Sequence, residues 1–163
     1  MEESKFWEII DRVSDKAHGE MENKCQLIKS EIVALPKAEA VEFYQIFGKM
    51  MTQAYTWPLW GAAYVINGGC SDDTFSDFRS SLISRGQKAY QRAILDPDSL
   101  ADEDFDEDAW FYEGYHYAIS HAVRHHIGNV PKLDTPQPHT PSGNRWSEVD
   151  VRGCYPQLAA KFA

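Results

Sequence analysis

Three groups of residues in this chain have the types and spacing that chemistry uses. The first is Gly68-Gly69-Cys70-Ser71-Asp72-Asp73, followed by Arg79. Ser71 reads as a helix N-cap, with Asp72 and Asp73 in the first turn, where carboxylates suit the helix dipole. On a wheel of ~100° per residue, Phe75, Phe78 and Leu82 form the buried stripe. Asp72, Ser76, Arg79 and Ile83 share the adjoining face. The Arg79 guanidinium is therefore half-buried and requires a carboxylate within reach. Two readings follow: Asp72, Asp73 and Arg79 line a polar pocket for a ligand or partner, or they are a capped helix start with one structural ion pair. The two glycines resemble an anion loop, but Asp72 and Asp73 would repel phosphate, which excludes a nucleotide site. At Cys70 the dipole lowers the thiol pKa while the neighbouring carboxylates raise it, and the residue reads as a small buried filler.

The second group is histidine. His121 and His125 are four apart, a spacing that suits a zinc pair, with His116 one face away. The intervening Ala-Val-Arg lacks the glutamate of a zincin, and Arg124 repels a cation. Histidines near a helix C-terminus gain from the dipole without a metal, so no metal is assigned. The third group is Asp102–Asp108, six acids in seven residues with Phe105 between them. Asp102, Asp104, Asp106, Asp108 and Glu113 fall at the first, third, fifth, seventh and twelfth positions of a calcium loop, but Glu107 stands where the turn wants glycine. An acidic helix start is the simpler account, and it offers a dense anionic patch.

The elements that position these groups are helices. Apolar residues recur at spacings of three and four through Phe6, Trp7, Ile9, Ile10 and Val13 behind Ser4 as N-cap, through Leu27, Ile28, Ile32 and Leu35, and through Val41, Phe43, Tyr44, Phe47 and Met50. Pro58 opens a short helical run that Gly68-Gly69 stops. The helix from Ser71 closes at Gly86, a shorter one spans Gln87–Leu95, and an aromatic helix runs from about Asp108 to Ile127 with Gly128 as its stop. On that last helix Phe111, Tyr115, Ala118, Ile119, Ala122 and Val123 form the core side, with Glu113, Tyr117, Ser120 and Arg124 opposite. Strand-like alternation is nearly absent. The spacing predicts an all-α fold: one compact domain of about six helices over residues 1–128, with a Pro-rich extended arm over 129–163 packed on it through Trp146, Val149, Tyr155, Leu158 and Phe162.

The run TWPLWGAAYVINGGCSDDTFSDFRSSLISRGQKAYQRAILDPDSL, from Thr56 to Leu100, resembles the bacterial domain-of-unknown-function family 4240. So do the opening Phe6-Trp7-Glu8-Ile9-Ile10 and the closing Tyr155-Pro156-Gln157-Leu158 with Lys161-Phe162. The resemblance implies a compact domain and carries no reaction or catalytic residue with it.

Composition bounds the function. With 16 Lys+Arg against 25 Asp+Glu the net charge of the 163 residues is −9, which repels phosphate backbones and anionic lipid heads, so neither nucleic acid nor membrane is expected as a partner. The opening Met-Glu-Glu-Ser-Lys has no basic n-region and no apolar h-region, and a cytoplasmic address is expected. Cys25, Cys70 and Cys154 are too few and too scattered for a disulfide framework. The leading expectation is a non-catalytic acidic module, of immunity or regulatory type, that binds a basic protein without a cofactor. Its contacts would be Asp102, Asp104, Asp106, Asp108, Glu113, Trp110 and Tyr117, the two aromatics lying opposite the core as anchors. The alternative is a small metal-assisted hydrolase or lyase drawing its acid–base pair from Asp72, Asp73, Glu113 and His116. A third possibility is self-association through Trp57, Trp60 and Tyr64, which are otherwise core aromatics.

Overall fold

The computed structural model describes residues 1–163 and is all-helical. Its elements are α1 (Glu3–Ala17), α2 (Met21–Ala34), α3 (Lys37–Gln53), α4 (Trp57–Asn67), α5 (Asp72–Ser84), α6 (Gln87–Leu95), a 3₁₀ turn (Pro97–Asp102), α7 (Glu107–Trp110), α8 (Gly114–Ile127), α9 (Val151–Cys154) and α10 (Pro156–Lys161). The count exceeds six because α7, α9, α10 and the 3₁₀ turn are too short to leave a periodic apolar pattern. A folded surface of 8569 Å² is close to the ~8,200 Å² expected of one domain of this mass.

Helix boundaries follow local chemistry. Thr56 accepts a hydrogen bond from the Leu59 amide at 3.1 Å, and Ser71 accepts one from Thr74 at 3.2 Å, so α4 and α5 start where a hydroxyl satisfies an orphan N–H. Ser4, by contrast, lies inside α1, whose N-cap Glu2 makes no side-chain cap. Gly86 sits at φ +104°, a left-handed conformation open to glycine, and the Asp11 carboxylate of α1 accepts from the Gln87 amide there at 2.9 Å, starting α6.

One cluster of 38 buried residues spans every helix, reaching α9 through Val151 and α10 through Leu158. α8 lies along α2, and Phe75, Phe78 and Leu82 point from α5 into the centre, as the wheel requires. The aromatic helix is broken. Its first turn is α7, and the chain bends through Phe111–Glu113, where the Tyr112 amide donates to Ser81 Oγ at 3.1 Å, before α8 begins. A Cβ on Gly114 would lie 2.6 Å from the Tyr112 ring, so glycine permits the tight turn.

Beyond Gly128 the chain is irregular to Asp150 and then forms α9 and α10. Trp146 donates its Nε1–H to the Trp57 carbonyl at 2.7 Å, a parallel bridge joins Ser142 to Thr56, and the buried Tyr155 hydroxyl donates to the Pro58 carbonyl. The Asp98 carboxylate caps α10 by accepting from the Gln157 and Leu158 amides at 3.2 and 2.9 Å. Val149, expected to pack, is instead 92% exposed, because α9 turns its neighbour Val151 inward. No helix is long and apolar enough to cross a membrane.

Candidate functional site

The acidic run divides in two. Asp102 and Glu103 are answered by the chain's own cations: Arg92 Nη2 lies 2.5 Å from Asp102 and Arg85 Nη2 3.5 Å from Glu103, while Lys161 Nζ donates to the Ala101 and Glu103 carbonyls at 2.9 and 2.5 Å. Asp104, Asp106, Glu107 and Asp108 are exposed and stand in no ion pair. Asp106 caps α7, accepting from the Asp108 amide at 3.2 Å. Trp110 is not the outward anchor that a continuous helix would make it. The break at Phe111–Glu113 resets the helical phase, and Trp110 is fully buried, its Nε1–H donating to the Asp104 carbonyl at 3.3 Å and the Arg85 guanidinium lying 4.6 Å over its ring. Tyr117 keeps its outward position at 47% exposure.

The proposed pocket of Asp72, Asp73 and Arg79 also divides. Asp72 accepts from the Tyr55 hydroxyl at 2.9 Å, and the Arg79 guanidinium lies 4.5 Å over that same tyrosine ring and 4.9 Å over Phe75. Arg79 is buried to 6% exposure, with Nη1 donating to the Met51 carbonyl at 2.7 Å and no carboxylate at ion-pair distance. Burial lowers its pKa, and the charge of Asp72 works in the opposite direction. Asp73 takes no part in this arrangement. With Glu113 it acts instead on Asp77, whose carboxyl is raised by burial, lowered by His116 and raised again by the charges of Glu113 and Asp73.

His116 lies 3.3 Å from Asp77, a pair 39 residues apart in sequence that no helical wheel connects. His116 lines a cavity of about 290 Å³ between α3, α5 and α8, in which it, Arg79, Ser76, Tyr117 and Ser120 meet Tyr44 and Phe47. Leu133 and Gln137 of the arm cover one side of it. His121 and His125 are exposed and separate from this cavity, and His126 donates to the Leu35 carbonyl at 2.7 Å. No three His, Cys, Asp or Glu side chains converge to hold a metal ion.

A model of the DUF4240 family, described as proteins of unknown function, matches residues 1–124 of the chain. The chain belongs to that family. The DUF4240 span contains Asp72, Asp73, Asp77, Arg79, the whole acidic run, Glu113, His116 and Tyr117, while Leu133, Gln137 and Trp146 lie beyond it. No curated protein and no solved structure matches this DUF4240 chain.

Two further groups complete the picture of this DUF4240 domain. Trp57 and Trp60 stack at 5.2 Å, and Trp146 of the arm meets both edge-on, at 5.8 and 6.4 Å, and meets Tyr64 at 5.0 Å. These aromatics are half-buried against the arm. Cys70 is half-buried, and burial, reinforced by the charges of Asp72 and Asp77, pushes its thiol up to about 12, unsuited to nucleophilic work at neutral pH.

Proposed function

We propose that the protein is a non-catalytic binding module, of regulatory or immunity type, that holds a basic protein partner against the open half of its acidic surface. The observation that carries this reading is the division of the acids. The chain spends Arg85, Arg92 and Lys161 on Asp102 and Glu103 and leaves Asp104, Asp106, Glu107 and Asp108 unpaired. The segment from Asp106 leads to Glu113, which with Asp73 acts by charge on Asp77, the carboxylate paired with His116. Unpaired carboxylates at this density repel one another, and a cationic partner relieves that repulsion, steers encounter and sets specificity. Tyr117, exposed and tilted against the His116 ring with centroids 4.2 Å apart, supplies the apolar contact that interfaces favour.

Pull-down from native extract tests the reading with two variants. Wild type and Asp102→Asn/Glu103→Gln are expected to recover the same partner at low salt and release it at high salt, whereas Glu107→Gln/Asp108→Asn/Glu113→Gln recovers none. A partner retained by the second variant contradicts the proposal.

One observation favours a second reading, a small hydrolase or lyase: His116 is oriented by Asp77 beside a cavity that also holds Arg79, the arrangement of an acid–base group next to a fixed positive charge. Asp73 and Glu113 act by charge on Asp77 and Asp72 acts on Arg79, and a metal bound with His116 would assist. Metal analysis of untagged protein is the discriminating measurement. Stoichiometric zinc that is lost in His116→Ala supports this reading, and metal-free protein that binds its partner at full strength counts against it.

A further inference from the structure

Two cations are buried in this domain without a carboxylate, and they are buried differently. Lys24, 1% exposed, points its Nζ at Ser84 Oγ, 3.3 Å away, and burial with the charge of Arg85 brings its pKa down to about 8. An ammonium can give up its proton when its surroundings demand it; a guanidinium in a protein does not. Arg79 therefore keeps its charge in a setting that satisfies only part of it. Nη1 is bonded to Met51, the planar face is covered by Tyr55 and Phe75, and Nε is buried with no acceptor at all. The group borders the cavity of about 290 Å³ between α3, α5 and α8, a size near the lower end, roughly 300 Å³, of small-molecule sites.

The lining of that cavity specifies an occupant. Ser76, three residues before Arg79 on the same face of α5, and Ser120 on α8 contribute hydroxyls, while Phe47, Met51 and Leu133 supply apolar wall. Leu133 is held there by the arm, whose Lys132 carbonyl accepts from Gln45 Nε2 at 2.9 Å and whose Asp134 amide donates to Gln45 Oε1 at 2.8 Å. A fork of N–H donors matches a carboxylate, and a single buried guanidinium balances one negative charge. Asp72, whose charge bears on Arg79, and Asp77, paired with His116 of the lining, disfavour a second charge on the ligand, which argues against phosphate. We propose that this cavity is a binding site for a small organic monocarboxylate, its carboxylate on Arg79 and Ser76 and its hydrocarbon body against Phe47, Met51 and Leu133. The site adjoins the partner-binding surface, with which it shares His116 and Tyr117, but it does not use the open acids of α7, so neutralising Glu107 and Asp108 leaves it intact.

Benzoate and hexanoate are the probes, titrated into the full chain labelled with ¹⁵N, with benzamide, hexanamide and inorganic phosphate as controls. At least one acid is expected to shift the Arg79 Nε–H and the Ser76 and Ser120 amide resonances saturably, and its amide to bind roughly tenfold or more weakly, the loss expected of a charge-assisted hydrogen bond. Arg79→Gln removes that preference, and Ser120→Phe, which fills the cavity from its α8 side, abolishes binding while circular dichroism keeps its helical form. Where Arg79→Gln fails to fold, the acid–amide contrast and Ser120→Phe decide the matter. Failure of both acids to bind saturably, an amide that equals its acid, phosphate that binds more tightly than either acid, or full affinity in Ser120→Phe overturns the assignment.

Discussion

The two halves of the acidic run differ in what faces them. Asp102 and Glu103 end a 3₁₀ turn that packs beside α6 and α10, and both helices bring cations: Arg92 from α6, Lys161 from α10, and Arg85 from the end of α5. Asp106, Glu107 and Asp108 open α7, and the hollow that Glu107 and Asp108 share with Asn67, Phe111 and Tyr112 holds no positive charge. Sequence density alone would treat all six acids as one patch. The fold assigns the first two to holding the 3₁₀ turn and leaves the others facing water, and the charge available for binding is what the molecule does not neutralise by itself.

The largest expected effect tests whether the answered half is locally over-supplied with cations. Arg85 serves Glu103 and also bears on buried Lys24, lowering its pKa to about 8 together with burial. Below pH 8 Lys24 is charged in the folded and the unfolded chain, and its burial opposes folding. Between about 8 and the ordinary value of 10.5 the unfolded chain holds a proton that the folded chain has lost, so stability rises with pH across that window. Lys24→Met should raise stability at neutral pH by up to about 3 kcal/mol and flatten the rise, measured by chemical unfolding at several pH values. An unchanged pH profile in the variant contradicts the account of Lys24.

Arg85→Ala is next. It removes the Glu103 pair and the stack on Trp110, and should cost about 2 kcal/mol, mostly through lost packing and cation–π contact, while moving the Lys24 window upward in pH. Loss below about 0.5 kcal/mol would mean that the two halves are held equally loosely. Lys161→Met, which leaves the Ala101 and Glu103 carbonyls without their donor, should cost about 1 kcal/mol by the same measurement. Glu107→Gln/Asp108→Asn should leave the melting midpoint within the shift of about 0.5 kcal/mol that surface positions show. A clear destabilisation there would mean that the open half is structural after all.

Much of this architecture was legible from residue types. The starts at Ser71 and Pro58, the stops at Gly68, Gly86 and Gly128, and the stripe Phe75, Phe78, Leu82 follow from local hydrogen bonding and spacing, which a single segment determines. That Arg79 turns partly inward was legible for the same reason, since its place on the wheel adjoins that stripe, but its burial to 6% exposure was not. What was not legible depends on contacts between segments. The break before α8 arises because the Tyr112 amide finds Ser81 Oγ on another helix, and it turned Trp110 from a surface anchor into core. Asp77 meets His116, and Leu133 meets Gly48, only once α3, α5, α8 and the arm are assembled. The expectation that Arg79 requires a carboxylate of this chain was reasonable chemistry that the fold answers with aromatic faces and a cavity instead.

The division of the acidic surface is tested most directly by titrating the captured partner, at low and at high salt, against wild type, Asp102→Asn/Glu103→Gln and Glu107→Gln/Asp108→Asn/Glu113→Gln in parallel. The account predicts wild-type affinity with a steep salt dependence for the first variant, and for the second a loss of affinity together with a shallower salt dependence. Equal weakening by the two variants, or none by the second, would contradict it.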